Sequence, residues 1–166
     1  MYKFLSVSKP MVRLLGSGAI LNECLKAHEI LKQFDISSEV WSVTSFNMLR
    51  KDGMEIENVN LKNPSKTPQA SYVEQSFAHE NIPAVAATDY MRAYAEQIRP
   101  FVKGTYLTLG TDGFGRSDSR KKLREYFEVD ANNIAATAAY ALLQDQIIDK
   151  KQVGKIYEKL GINKDK

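Results

Sequence analysis

Short apolar runs alternate with longer amphipathic stretches along the chain. The runs are rich in β-branched, aromatic and small apolar residues and have the length of buried strands, which predicts four strands. They lie at residues 12–15, 39–43, 83–88 and 105–109. Between residues 18 and 34, apolar side chains recur every three or four positions, as on the buried face of a helix. That face consists of Ile20, Cys24, Ala27, Leu31 and Phe34.

Capping and turn residues divide the segment that follows. Thr44 or Ser45 is the predicted cap of a short helix that ends at Gly53. Residues 54–80 hold two prolines and many small polar residues. This composition predicts an excursion over the surface, with one short helix near residues 71–78.

Four further helices are predicted from capping residues downstream. The first starts with Asp89 as its cap and ends near Arg99, because Pro100 disfavours helical geometry in the residue before it. The second starts at Ser117 or Asp118 and ends near Phe127, the third starts at Asp130, and the last runs from Asp149 to a stop before Gly161.

This order of elements predicts an α/β fold. Strands that alternate with helices form a parallel-dominated sheet covered on both faces, a three-layer α/β/α sandwich. The segment MYKFL at residues 1–5 adds a short edge strand, which gives a mixed, mostly parallel sheet of five strands. No internal repeat or second domain is evident, so residues 1–166 are expected to form a single domain.

Composition excludes several classes of protein. The net charge is +3 and the basic residues are spread along the chain, so a nucleic-acid partner is not expected. Cys24 is the single cysteine, which suits a reducing compartment. No apolar run approaches the ~20 residues that cross a bilayer, and the N-terminus lacks the apolar core of a signal peptide. We therefore expect a cytoplasmic protein with no membrane partner.

Four loops follow the predicted strands at one edge of the sheet, where open α/β sheets bind ligands. They are GSG at residues 16–18, TSFN at 44–47, TDYM at 88–91 and GTDGFGRS at 110–117. The candidate loop or interface residues are Ser17, Thr44, Asp89, Tyr90, Asp112, Phe114, Arg116 and Asp118.

The glycine-rich loop at residues 110–117 is close to a phosphate-binding loop but departs from it in chemistry. Arg116 stands where such a loop needs lysine, and its planar fork does not replace a compact ammonium. Asp112 lies inside the loop, where it would repel a polyphosphate. We expect the glycines to allow a sharp turn from strand to helix and Arg116 to be held by a nearby acid.

The remaining reactive residues do not form a catalytic or metal-binding set. GSG lacks the third small residue and the following acid of a dinucleotide-binding loop. His28 and His79 are far apart in the chain and match no metal-ligand spacing. Cys24 lies on the apolar helix face, where packing is the expected role. The residues themselves therefore predict no catalytic, cofactor-binding or metal site in this domain.

Four stretches carry a more specific pattern than any short motif. They are VRLLGSGAIL, VWSVTSFNMLRKDG, AATDYMRAYAEQIRPFV and LGTDGFGRSDSRKKLREYFEVD. In this order and spacing they closely resemble the C-terminal domain of the homodimeric pyruvate dehydrogenase E1 component. The resemblance covers nearly the whole chain and implies the transketolase C-terminal fold.

The resemblance also implies a longer thiamine-dependent chain of three α/β domains, of which residues 1–166 are the third. MYKF then lies at a domain boundary and LGINKDK near the natural end. The full enzyme would decarboxylate pyruvate and transfer the acetyl group to a lipoyl group on the E2 dihydrolipoyl acetyltransferase. Its thiamine diphosphate and Mg²⁺ would bind to the other two domains, between the subunits of a homodimer.

For this domain, the resemblance implies a structural role in supporting the dimer and the surroundings of the active site. The family's cofactor motif begins G-D-G, and TDG at residues 111–113 is the closest match here. We expect the fragment to be inactive alone and to bind neither cofactor.

Two other functions stay open at this point. The domain could be a free-standing ligand-binding or regulatory module that uses Thr44, Asp89, Asp112 and Arg116 at the carboxyl edge of the sheet. It could also be an interaction module whose exposed apolar surface is covered by other domains or by a second subunit.

Overall fold

Five strands form one mixed sheet at the centre of the molecule. A computed structural model describes residues 1–78 and 80–162; His79, which was expected in the surface excursion, and residues 163–166 of the LGINKDK segment lie outside the described residues. The strands are β1 Tyr2–Leu5, β2 Val12–Ser17, β3 Ser38–Val43, β4 Ala84–Ala87 and β5 Tyr106–Leu109.

Within the described residues, seven α-helices accompany the sheet. They are α1 Leu21–Lys32, α2 Phe46–Lys62, α3 Tyr72–Ser76, α4 Arg92–Glu96, α5 Arg120–Tyr126, α6 Ala131–Gln144 and α7 Lys150–Leu160. Single 3-10 turns at Gly18–Ile20 and Arg99–Phe101 precede α1 and follow α4.

The central strand β2 organises the sheet. The strand order is β1-β3-β2-β4-β5, with β2 parallel to both β3 and β4, and β4 parallel to β5. The edge strand β1 runs antiparallel to β3. The mostly parallel five-stranded sheet is thus confirmed, including the short edge strand from MYKFL.

Each face of the sheet carries its own apolar core. One core joins the sheet to α1, α6 and α7, and it includes Leu14, Leu31 and Ile156. The other joins it to α2, α3 and α4, and it includes Leu15 and Trp41. The three-layer α/β/α arrangement is therefore confirmed.

Several predicted helix starts are confirmed. The side chain of Ser45 accepts a hydrogen bond from the backbone of α2, and Asp130 and Asp149 cap α6 and α7 in the same way. Gly161 ends α7 with φ 64°, the left-handed conformation that glycine adopts without a steric cost.

The predicted stop of α2 at Gly53 is wrong. The helix continues to Lys62, so residues 54–62 are helical and the surface excursion begins later than expected. Gly53 is buried against the ring of Phe101. The glycine therefore serves a close helix contact instead of a helix end.

Two predicted caps are also wrong. Met91, not Asp89, precedes α4, and its side chain makes no capping bond. Ser119 caps α5 in place of Ser117 or Asp118. The carboxylate of Asp118 instead accepts a hydrogen bond from the Ser119 amide at 2.6 Å, which positions the capping serine.

Arg13 of β2 is a buried charge at the amino edge of the sheet, with 2% of its surface exposed. Its guanidinium donates to Glu39 Oε1 at 2.8 Å and to Glu80 Oε2 at 2.8 Å. It also donates to the backbone carbonyls of Phe77, Glu80 and Ile82. These bonds give the buried cation the full set of partners that its burial requires.

Glu39 is the buried anion of this cluster. Besides Arg13, its carboxylate accepts hydrogen bonds from Trp41 Nε1 at 2.8 Å and from Lys3 Nζ at 2.7 Å. Burial alone would raise the pKa of Glu39, but the hydrogen bonds from Lys3, Trp41 and Arg13 outweigh it and hold the pKa below its ordinary value.

We expect Gly53→Ala to destabilise the chain although alanine is the better helix former. The new Cβ would stand 2.3 Å from ring atoms of Phe101, and overpacking of a buried contact costs about 1–3 kcal/mol. The gain in helix propensity, about 1 kcal/mol, offsets part of this cost. Equilibrium urea unfolding measures the difference.

Gly154→Ala is the matched control on α7. The position is exposed and a Cβ there meets nothing within 4 Å, so we expect the variant to be more stable by about 0.5–1 kcal/mol. Equal stabilisation by both substitutions would contradict the close packing of Gly53 against Phe101.

We expect Lys3→Met to weaken the fold in a pH-dependent way. A carboxyl whose folded pKa is lowered contributes stability above its unfolded pKa, about 4.3 for glutamate, and that contribution is lost as the pH falls through the folded pKa. Removing Lys3 raises the folded pKa of Glu39 and shrinks this contribution. The variant should be less stable than the parent at pH 7, by about 1 kcal/mol, and the gap should close on acidification.

Lys51→Met removes the same charge from an exposed position on α2 and serves as the control. The pKa of Glu96 is lowered as well, by its hydrogen bond from Arg99, and this affects the variant and the parent equally. The difference between their free energies of unfolding therefore reports on Glu39. A gap between Lys3→Met and the parent that stays constant from pH 7 to pH 2 would argue against this assignment.

Candidate functional site

The loops at the carboxyl edge of the sheet meet at a topological switch point. From the central strand β2, the chain passes over one face to β3 on one side, and then over the other face to β4 on the opposite side. The helix that follows β2 is α1, on the first face, and the helix that follows β4 is α4, on the second face. The connections that leave the carboxyl ends of β2 and β4 therefore diverge. In open α/β sheets, the crevice between two such strands is the usual ligand site.

Two of the four loops are joined by backbone hydrogen bonds. The amide of Thr111 donates to Tyr90 O at 2.9 Å, and the Thr111 hydroxyl donates to Asp89 O at 3.1 Å. One carboxylate oxygen of Asp112 accepts from the Arg92 amide at 2.9 Å. The loop after β4 and the loop after β5 thus form one unit.

Gly110 makes this close approach sterically accessible. A Cβ at this position would lie 2.5 Å from the Arg92 amide nitrogen and 2.9 Å from Tyr90 O. The next glycine, Gly113, has φ 96°, a conformation that other residues rarely adopt. The first two glycines of GTDGFGRS therefore have separate structural reasons: Gly110 permits the close approach of the two loops, and Gly113 supplies a positive φ in the segment before α5.

Arg116 does not form the predicted ion pair with an acid. Its guanidinium carbon lies 4.1 Å from the centre of the Tyr126 ring, a cation–π contact, and the residue is exposed. Among the described residues no carboxylate is within ion-pair distance of Arg116. Asp112 and Asp118, the acids nearest in the chain, instead accept hydrogen bonds from backbone amides.

Ser17 and Thr44 contribute less to the loop cluster than expected. Ser17 precedes the 3-10 turn that leads into α1 and makes no capping bond. Thr44 precedes Ser45, which is the residue that caps α2. Tyr90 packs edge-on against Tyr94, with the ring centres 4.7 Å apart, and Phe114 at the loop tip is 96% exposed.

A cavity of about 470 Å³ opens between these loops and α5. Ala19 follows β2, Asp89 follows β4, and Arg116 lies in the loop after β5. Asp89 and Arg116 were expected at this edge, and the structure brings both to the wall of one cavity. Arg120, Leu123, Arg124 and Phe127 complete the α5 wall, and none of these was a candidate from sequence.

Other polar clusters that sequence reasoning missed are fully bonded. Glu23 is buried and accepts hydrogen bonds from Lys26, Arg124 and the Ala131 amide. Glu96 bonds Arg99. Their partners come from distant parts of the chain or from helix spacings that also occur on solvated faces, so no sequence signal marked them.

The reactive side chains fit no nucleophilic or metal chemistry within the described residues. Burial, followed by the neighbouring Glu23 charge, raises the pKa of Cys24 to about 12, so the thiol stays protonated. His28 Nδ1 lies 2.9 Å from Ser38 Oγ, and both side chains are buried. No group of three acidic, histidine or cysteine side chains suited to a metal ion occurs in the described part of the chain.

Within residues 1–78 and 80–162, no helix combines the length and the apolar character that a bilayer span needs.

Sequence comparison places the chain among pyruvate dehydrogenase relatives. The family model of the transketolase-like C-terminal domain matches residues 1–130 of the sequence. The pyruvate dehydrogenase E1 component of Pseudomonas aeruginosa is 48% identical over 157 residues, and that of Escherichia coli K12 is 47% identical over 161. These matches cover 93% and 96% of this chain but 18% of each relative, so the chain spans less than a fifth of their length.

Solved structures show the same fold at low sequence identity. A split-gene transketolase described as an inactive β4 tetramer superposes with a TM-score of 0.60 at 15% identity, over 85% of this chain and 41% of its own. Transketolase from Leishmania mexicana gives 0.59 at 15% identity, over 86% and 18%. The chain therefore belongs to the transketolase-like C-terminal domain family, and it matches the C-terminal region of pyruvate dehydrogenase E1 components.

Proposed function

We propose that the chain acts as the third, C-terminal domain of a thiamine-dependent pyruvate dehydrogenase E1 component. In this role it does not carry out the chemistry. It supports the E1 homodimer and shapes the surroundings of an active site formed by the remaining domains. The complete enzyme would decarboxylate pyruvate and transfer the acetyl group to the lipoyl group of E2.

The observation that carries this proposal is the pattern of identity and coverage. Identity of 47–48% extends over more than nine tenths of this chain, yet it meets 18% of the length of each E1 relative. Four fifths of those relatives lie outside the match and are free to hold the catalytic groups. A domain that makes up less than a fifth of the enzyme, with the catalytic groups in the remainder, is expected to serve assembly.

A magnesium ion needs oxygen ligands such as carboxylates, and no group of three acidic, histidine or cysteine side chains that could hold one occurs among the described residues. The two acids of the glycine-rich segment, Asp112 and Asp118, use carboxylate oxygens to accept backbone hydrogen bonds. Under this proposal both cofactors bind to the rest of the longer chain, and no catalytic step is assigned to the described residues.

Exposed apolar side chains at the carboxyl edge support a role in domain or subunit contact. Tyr90 and Met91 are half exposed, and Phe114 is 96% exposed. Phe114 stands between two glycines at which an added Cβ would meet nothing within 4 Å. An aromatic ring presented in this way contributes little to the stability of the isolated domain. Exposed apolar patches often mark interaction sites, and under this proposal these side chains belong to one.

A chimera tests the proposed role directly. We expect that the Escherichia coli E1 component stays dimeric and decarboxylates pyruvate when this chain replaces its matching C-terminal region. The truncated enzyme that lacks the region should lose both properties, because the domain completes the assembly. Analytical ultracentrifugation and a pyruvate decarboxylation assay measure the two. Full activity of the truncated enzyme would refute the supporting role.

Phe114→Ser in the chimera tests the contact surface. Aromatic residues at the centre of an interface often contribute 2 kcal/mol or more, so we expect the dimer dissociation constant to rise by roughly tenfold or more. Thermal unfolding of the isolated chain should not change, since the ring is exposed there. Leu61→Ser is the control: Leu61 is 80% exposed near the C-terminal end of α2, the helix whose N-terminus follows β3. Equal effects of the two substitutions on the dimer would speak against a contact at Phe114.

A further inference from the structure

The cavity at the switch point is open between three strand ends and one helix. Residues after β2, β4 and β5 form one side, and α5 forms the other. Its volume of about 470 Å³ lies within the range of roughly 300–1,000 Å³ that small-molecule sites occupy. Both its position in the topology and its size therefore suit a ligand smaller than a dinucleotide.

One face of α5 is turned toward this cavity. Arg120, Leu123, Arg124 and Phe127 follow the i, i+3, i+4, i+7 spacing of a single helix face, and all four line the cavity. None of the residues of α5 is buried. The apolar residues of a helix face normally cover a core, and here Leu123 lines a cavity instead.

The floor of the cavity is apolar. Leu123, Phe127, Val129 and Ala19 make up this apolar part of the cavity lining. Phe127 and Val129 belong to the apolar core at this face of the sheet, so the floor is anchored. An apolar body of a few carbon atoms would gain by covering these side chains, at roughly 25 cal/mol for each Å² removed from water.

The rim of the cavity carries more free positive than negative charge. Arg124 is paired with Glu23 at 2.8 Å, whereas Arg116 is exposed and contacts the ring of Tyr126 without an ion pair to any described carboxylate. The side chains of Arg120 and Asp89 form no hydrogen bond or ion pair with any described residue. The cavity lining thus contains two guanidinium groups without an ion-pair partner, those of Arg116 and Arg120, and one such carboxylate. A guanidinium fork binds carboxylate and phosphate groups through paired N–H donors.

We propose that this cavity binds a small organic anion: a carboxylate or phosphate head group held by Arg120 and Arg116, with a compact apolar body on Leu123 and Phe127. Asp89, on the opposite wall, accepts a hydrogen bond from a hydroxyl or amine of the ligand. This recognition uses side chains of a helix face, and it differs from a phosphate-binding loop, in which backbone amides and a lysine hold the phosphates. It does not depend on the role proposed for the domain in E1.

The test is a titration of the ¹⁵N-labelled chain followed by two-dimensional NMR. The probes are phenyl phosphate and benzoate, which combine an anionic head with an apolar body. Benzyl alcohol supplies the body alone and inorganic phosphate the head alone. We expect phenyl phosphate, benzoate or both to shift the amide signals of Gly113, Gly115 and Val129 saturably. Comparison of the two reveals which head group the site prefers.

The two half-probes should bind at least about tenfold more weakly, because each lacks one of the two contacts. Saturable shifts with inorganic phosphate as strong as with phenyl phosphate would overturn the role of the apolar floor. The absence of saturable shifts at these amides with both phenyl phosphate and benzoate would overturn the site itself.

Matched variants separate this site from general attraction to a basic surface. Arg120→Gln removes a guanidinium from the cavity and should raise the dissociation constant by about tenfold. Lys122→Gln removes the same charge from an exposed position of α5 outside the cavity lining and should leave the constant unchanged. Neither side chain is buried, so both variants are expected to fold. Equal weakening by the two substitutions would refute the assignment of Arg120.

Discussion

The buried guanidinium of Arg13 is the interaction on which the arrangement of the sheet depends. It lies on the central strand and bonds the neighbouring strand through Glu39 and the segment before β4 through three backbone carbonyls. A buried cation that lost one of these partners would be strongly disfavoured. The register of three chain segments at the amino edge is therefore set together.

The two edges of the sheet are held by different forces. At the amino edge, the charged side chains of Arg13 and Glu39 bond each other and hold the fold together. At the carboxyl edge, each hydrogen bond described between the loops after β4 and β5 uses at least one backbone group, and a glycine permits the approach of the loops. Side chains such as Arg120, Asp89 and Phe114 are then free for contacts outside the domain. This division lets one edge stabilise the molecule while the other serves recognition.

Much of the fold could be predicted from sequence because it follows from periodicity and caps. All five strands and the caps Ser45, Asp130 and Asp149 follow from local patterns. Gly53 misled the prediction because a glycine inside a helix and one at its end look alike. The difference lies in Phe101, which is 48 residues away in the chain yet packs on that glycine.

The candidate site was predictable in part. The edge of the sheet and two of the cavity residues, Asp89 and Arg116, follow from the strand order and the loop composition. The contact of Arg116 with the ring of Tyr126 could not be predicted, because the sequence does not show which of several nearby side chains the guanidinium meets. The helix α5 was predicted from its capping residues, but sequence spacing cannot tell a helix face that covers a core from one that covers a cavity.

Cys24 has a practical consequence for experiments on this molecule. Its thiol is fully buried and stays protonated at neutral pH, while thiol-reactive labels attack the exposed thiolate. A second cysteine placed at Gly115, where a side chain meets nothing within 4 Å, would therefore react alone. A fluorophore or spin label can report on the mouth of the cavity without removal of the native cysteine.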